Sequence, residues 1–430
     1  MKKFLLLSLT VLFAFGLFAC ASDDDDNGDN GDNGDNGDAT PLIIYQNKVE
    51  IDDVLSAYAA AWGAANDVEV QVRTCGGDAC GYADQIIAEF NAANEPDIFV
   101  FEGLGQFLQY QSKIMPLDGE EWIDYTDVAF TYEGVVYGFP VNFEGWGMAY
   151  NADMLEAADV DPATLVNRAA YEAAFQAIEA HFADDENFNA PVSMAAGPGL
   201  TWVTGLHNFN GYLSSGLAYD DRTVIDNLLN GQYDLERLEA LADWVELLFD
   251  YAATPYLTEG SYDDMINNFK LGRTAFIHQG NWIDPNLLQD GGIDFEVGYA
   301  PHASGLGDVD SIFVGAPSYY AINPDGNNNE LAKQFLNDMA MTQAGHEYMV
   351  VDAGYVPAFT NVELIPTGPL SAAVYEWSSE GNIYAWWQND MPPGFGMDDL
   401  GPVYSQFADG QIDKESFINR LRGEILDLAD

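Results

Sequence analysis

Glu144 and Trp146 stand two residues apart in VYGFPVNFEGWGMAYN, a stretch apolar enough to be a buried strand. Side chains alternate along a strand, so Asn142, Glu144, Trp146, Met148 and Tyr150 share one face. A carboxylate beside an indole suits a polyol: the acid accepts hydrogen bonds from hydroxyls, and the ring covers an apolar C–H face. The competing reading is packing, with Trp146 in a core and Glu144 paired to a buried arginine. The scarcity of cations weakens it.

Other residues invite the same chemistry. Trp202 lies in GPGLTWVTGLHNFNG, read as a loop rich in Gly and Asn. Trp282 closes HQGNW, and Trp386 and Trp387 lie in NIYAWWQNDMPPGFG, between two helical segments. Asn47, Lys48, Glu102, Asn281 and Gln388 are candidate polar partners. Gly315 and Ala316 would let backbone come close to a ligand. At each position ligand contact competes with plain packing.

Catalysis finds little support. With 70 Asp+Glu some carboxylate pair is always available to a glycoside-cleaving reading, so such a pair carries no information. No His-Glu-x-x-His, Gly-x-Ser-x-Gly or phosphate-loop motif occurs, and the five His are scattered without metal-ligand spacing. No catalytic residue, cofactor or metal is expected.

The balance of 14 Lys+Arg against 70 Asp+Glu gives a formal net charge of -56 over 430 residues. Nucleic acid, anionic lipid and phosphate-rich ligands rely on Lys and Arg, so they are excluded as partners. A solvated acidic exterior suits a salty medium, where screening removes most self-repulsion. The sharper alternative is an acidic pocket for a cation.

Met1-Lys2-Lys3 followed by apolar Phe4 to Phe18 reads as an export signal, too short to span a bilayer. Leu17-Phe18-Ala19-Cys20 resembles the lipobox of bacterial lipoproteins, which implies cleavage after residue 19 and lipidation of Cys20. Residues 20–40, with repeated Asn-Gly-Asp triplets, are expected to be an extended acidic tether. Cys75 and Cys80 in TCGGDACGY are expected to close a small disulfide loop in an oxidising compartment.

From Pro41 the pattern alternates. Leu42–Gln46 is an apolar run, Glu50–Asn66 has helical spacing, Val68–Arg73 alternates, Tyr82–Asn94 is amphipathic and Pro96–Phe101 is apolar again. That succession predicts an α/β fold with a parallel sheet, whose ligands collect at strand carboxyl ends. Asn47–Lys48 and Glu102–Gly103 stand at two such ends.

Four stretches in order then give a family resemblance: AANEPDIFVFEG, GVVYGFPVNFEGWGMAYNADML, MINNFKLGRTAFIHQGNW and NELAKQFLNDMAMTQAGHEYMVVDAGYVPA. They resemble the family 1 extracellular solute-binding proteins of ABC importers, the group that includes the maltose-binding type. The resemblance implies a two-lobe periplasmic-binding-protein-like fold (type II), hinged by crossover strands near Phe143–Gly145, Val314–Pro317 and Val356–Phe359. It implies an N-terminal lobe of residues 41–143 plus 316–357 and a C-terminal lobe of 144–315 plus 358–430. It places Trp282 at the family's ligand-stacking position and Trp386–Trp387 where the maltose-binding type has another aromatic platform.

The expected function is therefore capture of a sugar or oligosaccharide in the cleft by a monomeric, lipid-anchored protein of the bacterial cell envelope, for delivery to ABC permease subunits. A polyamine or other cationic solute, paired with Glu102 and Glu144, is the alternative within the same fold.

Overall fold

All five residues of Leu42–Gln46 are buried. The one polar member, Gln46, satisfies its amide on Thr74 Oγ1 at 2.6 Å and Lys48 O at 2.9 Å. This strand pairs in parallel with Val70–Thr74 on one side and Ile98–Phe101 on the other. The intervening helix Asp52–Ala65 buries Leu55, Tyr58, Ala59 and Trp62, spaced so that they form one stripe packed into the first core, with Tyr58 and Trp62 against Phe335. The computed structural model describes residues 40–429 apart from 77–79 and 94. The export signal, Cys20 and the tether lie outside the described residues.

Three antiparallel strands complete the first sheet: Tyr319–Ile322 beside Ile98–Phe101, then Val135–Pro140, then Phe130–Tyr132. The fold is mixed α/β, and the first three strands and their helices follow the alternation read from sequence within a few residues at their ends. A second sheet has four strands in the order Val297–Ala300, Met148–Asn151, Thr274–Ile277, Ala190–Ser193. A third joins Ile383–Tyr384, Ile312–Gly315 and Glu144–Trp146.

Two hydrophobic cores result. One gathers residues from Leu42 to Val141 and from Tyr320 to Val362. The other gathers Trp146 to Val314, Val356, and Leu370 to Ile425. The chain passes between them from Val141 to Trp146 and returns from Val314 to Tyr320; its last passage falls between Val362 and Leu370. Phe143 packs against both cores. The crossing segments are tied to one another: Val141 N–H donates to Ser318 O at 3.1 Å and Phe143 N–H to Val356 O at 2.9 Å. Gly145 N–H donates to the Asn281 side-chain oxygen at 2.9 Å.

One sequence expectation is corrected. The stretch around Trp202 is not a loop: residues 202–208 wind as a π-helical segment that continues into the helix Phe209–Ser214. Its Gly and Asn have poor helix propensity, but Val203, Phe209, Tyr212 and Leu213 are sealed in the second core, and burial outweighs propensity. Cys75 and Cys80 form the disulfide, with Cα atoms 5.4 Å apart.

Candidate functional site

Strand Glu144–Trp146 lies antiparallel to Ile312–Gly315, with Glu144 opposite Gly315 and Trp146 opposite Phe313. The two candidate side chains end in different surroundings. Glu144 keeps only 6% of its surface exposed, and its Oε1 accepts from Lys48 Nζ at 2.5 Å and from Asn142 Nδ2 at 3.2 Å. Lys48 also lies 3.8 Å from Glu50. Burial pulls the Lys48 ammonium down in pKa, but Glu144, Glu50 and Glu102 more than reverse this, so the net shift is upward.

Asn47 Nδ2 donates to Glu102 Oε1 at 2.9 Å. Glu102 retains exposed surface but sits recessed among these groups. Desolvation raises its carboxyl pKa, against the lowering effect of Asn47 and Lys48. Asn47, Lys48, Glu102 and Glu144 therefore form one polar group where the ends of Leu42–Gln46 and Ile98–Phe101 meet the first crossing strand. The meeting of these groups at the strand ends was legible from topology alone.

The indoles assemble opposite, on the second core. Trp282 lies 6.0 Å from Trp386 and 6.4 Å from Trp202, and His207 packs 4.8 Å from Trp282 and 5.6 Å from Trp386. Tyr262 adds a ring 5.6 Å from Trp202. Burial raises the Tyr262 pKa, and Glu50 and Glu144 raise it further, so the aromatic cluster and the acidic group share one electrostatic neighbourhood. Trp202 and Trp282 are half-buried, leaving ring surface available. Trp282 is held by Nε1 donating to Gln279 Oε1 at 2.7 Å.

Trp146 has no exposed surface. It packs 4.3 Å from Phe313 and within 5.7 Å of His207, His278 and His302. It stands behind the cluster and sets the position of His207, which in turn supports Trp282 and Trp386. The amide of Asn281 is occupied by Gly145 N–H and by donation to Ser371 Oγ at 3.1 Å. Trp387 stacks under the Arg222 guanidinium at 4.5 Å and donates to Asp221 O at 3.0 Å. Gly315 earns its place by packing: a Cβ there would lie 2.5 Å from the Trp386 Cβ. Gln388 is buried, its N–H bonded to Asn210 Oδ1 at 3.0 Å.

Two hollows adjoin the cluster. A recess of about 200 Å³ is lined by Trp282, Asn142, Glu144 and Glu50, among others. A larger chamber of about 590 Å³ is lined by Trp386, Trp387, Gly315, Tyr219, Tyr319 and Gly103, among others. A third hollow of about 600 Å³, around Thr201, Ser405 and Asp398, contains none of the candidate side chains. Three features escaped sequence reading: Asn142, Tyr262 and the convergence of His207, His278 and His302. Asn142 had a signal, since it shares the face of Glu144; the histidines, far apart in the chain, had none.

Among the described residues, no group of three His, Cys, Asp or Glu could hold a metal ion, and no helix is long and apolar enough to cross a membrane.

Two α/β cores joined by hydrogen-bonded crossing strands, with polar groups from one core facing indoles from the other, define a two-lobe binding protein of the periplasmic type. The chain belongs to the bacterial extracellular solute-binding protein family, whose model matches residues 57–376. No curated protein matches the sequence. The fold is similar to a Bacillus subtilis binding protein in an open conformation, at TM-score 0.71 and 19% identity over 90% of this chain and 97% of that one. It is similar to a Bacillus licheniformis sugar transporter protein in complex with stachyose, at TM-score 0.69 and 17% identity over 90% and 100%. It is also similar to a chitin oligosaccharide binding protein, at TM-score 0.71 and 17% identity over 91% and 100%.

Proposed function

We propose that this protein is the substrate-binding lipoprotein of an ABC importer, capturing an oligosaccharide between its lobes and delivering it to the membrane permease. The observation that carries the reading is Trp282, which lines one recess with Glu144 and Asn142 and packs against Trp202 and the 8% exposed Trp386. Flat apolar rings and hydrogen-bonding side chains are the two surfaces a sugar presents a need for. Hollows lined by Trp282 and by Trp386 support a ligand of more than one ring, and the stachyose-bound relative supports the ligand class. In this reading Trp202, Trp282, Trp386 and Trp387 are platforms, and Asn47, Lys48, Glu102 and Glu144 bind hydroxyls. Trp146 and Asn281 brace the site from behind, and Gly315 seats Trp386. Cys20 carries the lipid, residues 20–40 are the tether, and the acidic exterior keeps the monomer soluble in salt.

Calorimetry with neutral di- to tetrasaccharides, beside spermidine, tests the ligand class. Saturable binding of a sugar with a change in tryptophan fluorescence is the expected result. Saturable binding of spermidine with no sugar bound would overturn it. Mass spectrometry of envelope protein tests the anchor, which Cys20→Ala should release.

A further inference from the structure

The recess beside Trp282 has a charge pattern that a neutral sugar does not explain. Four carboxylates line it, Glu50, Glu144, Asp284 and Asp352, and no Lys or Arg does. Asp284 is already engaged, accepting from the N–H groups of Leu370 at 2.9 Å and Ser371 at 2.7 Å. Glu50 and Glu144 share the single ammonium of Lys48, which approaches from outside the recess. Asp352 makes no ion pair among the described residues. Both hydrogen bonds that reach Glu144 fall on Oε1, which leaves its second oxygen to the recess.

A second, independent observation points the same way. Asn142 is 2% exposed, lines this recess, and has a side-chain oxygen with no donor. A buried acceptor left without a donor is costly. Of the four carboxylates, Glu144 and Asp284 are buried, and Glu50 and Asp352 are exposed. No Lys or Arg lines the recess, and Trp282 offers a ring face that attracts a cation. The acceptors do not converge on a point, since no three of them are close enough to hold a metal ion. They are spread around a space sized for one monosaccharide.

We propose that this recess takes a sugar ring bearing a protonated amine, so that the ligand is an oligosaccharide with an amino sugar at the Trp282 end. This rests on the carbohydrate reading above and adds the chemical class of one ring. Lys48 holds Glu144 in place, Glu144 and Asn142 accept from the ring's ammonium and hydroxyls, and Asp352 and Glu50 supply the remaining negative field.

The test is calorimetry of the intact protein with glucosamine oligomers of two to four units, the same oligomers N-acetylated, and neutral glucose oligomers of equal length. A charge-assisted hydrogen bond makes the amine form about tenfold tighter than the N-acetyl form at low salt. Because a net charge of -56 attracts any cation weakly, the decisive arm is the double variant Glu50→Gln, Asp352→Asn. It hardly alters the global field but is expected to bring amine and N-acetyl forms to near parity, with the melting temperature unchanged. Amine and N-acetyl oligomers binding equally to the unaltered protein, or a preference that survives the double variant, would refute the amine and leave the carbohydrate reading standing. Failure of every oligosaccharide to bind would overturn both.

Discussion

Lys48 and Glu144 meet at 2.5 Å across the join between the first lobe and its crossing strand, and both are largely buried, with side chains 15% and 8% exposed. The pair fixes the carboxylate that faces the cleft. It also ties the turn after Leu42–Gln46 to the first crossing strand, so this ion pair is a structural element within the proposed site.

Lys48→Met should therefore cost more than an ordinary surface substitution. Removing one partner leaves Glu144 charged and desolvated, a loss of roughly 3 kcal/mol, whereas surface pairs contribute under about 1 kcal/mol. The sign of the pH dependence follows from the raised Lys48 pKa. The contribution is complete below the ordinary lysine value of about 10.4 and is lost only as pH rises through the higher folded value. Chemical denaturation at pH 7 and pH 9 should give the same difference between wild type and variant.

Trp282 and Trp146 should separate binding from stability. Trp282→Ala removes a partly buried ring at the recess and is expected to weaken oligosaccharide binding by about 2 kcal/mol, roughly thirtyfold, with a smaller loss of melting temperature than Trp146→Ala. Trp146→Ala empties a fully buried site and should destabilise the fold by about 3–5 kcal/mol. Titration calorimetry and thermal melts on the two variants check the division. Equal losses of stability would mean that Trp282 is core.

Gly315→Ala probes the seat of Trp386. The added methyl would lie 2.5 Å from the Trp386 Cβ and 3.3 Å from its ring, so the ring or the crossing strand must move. Overpacking of this kind costs about 1–3 kcal/mol, and here it displaces a proposed platform. Reduced affinity with a modest fall in melting temperature is expected; unchanged affinity would show that Trp386 does not touch ligand.

What could be read in advance divides along physical lines. The strand and helix succession through Phe101 was legible because apolar periodicity reports local geometry directly. The grouping of Asn47, Lys48 and Glu102 followed from strand ends in a parallel sheet. The separation of Glu144 from Trp146 was not legible. Alternation places them on one face, but only tertiary packing decides that the Trp146 ring meets Phe313 and the histidines. Asn281 illustrates the same limit: its amide is spent on Gly145 and Ser371, partners 136 and 90 residues away. The helical winding at Trp202 was hidden because Gly and Asn argue locally for a loop, and only its burial in the second core reverses that.

The histidines beneath the aromatic cluster give the last prediction. His207, His278 and His302 are 8%, 1% and 0% exposed. Trp244 Nε1 donates to His302 Nε2 at 2.8 Å, so that nitrogen is an unprotonated acceptor, and His302 Nδ1 lies 2.9 Å from Ser304 Oγ. Burial lowers the pKa of all three, with His278 pushed down to about 4. A base whose folded pKa is depressed costs stability in acid, because the unfolded chain takes up protons that the folded chain refuses. Stability is complete above the ordinary histidine value of about 6.5 and declines as pH falls below it, by roughly 1.4 kcal/mol per pH unit for each neutral imidazole. The useful window is about pH 7 to 5.5, above the ordinary carboxylate range, where the many acids do not yet titrate. Melting temperature should fall across that window, and His278→Gln should shallow the fall. A flat profile would mean that the three rings accept protons in the folded state, and that Trp146, ringed by them, does not sit in a neutral core.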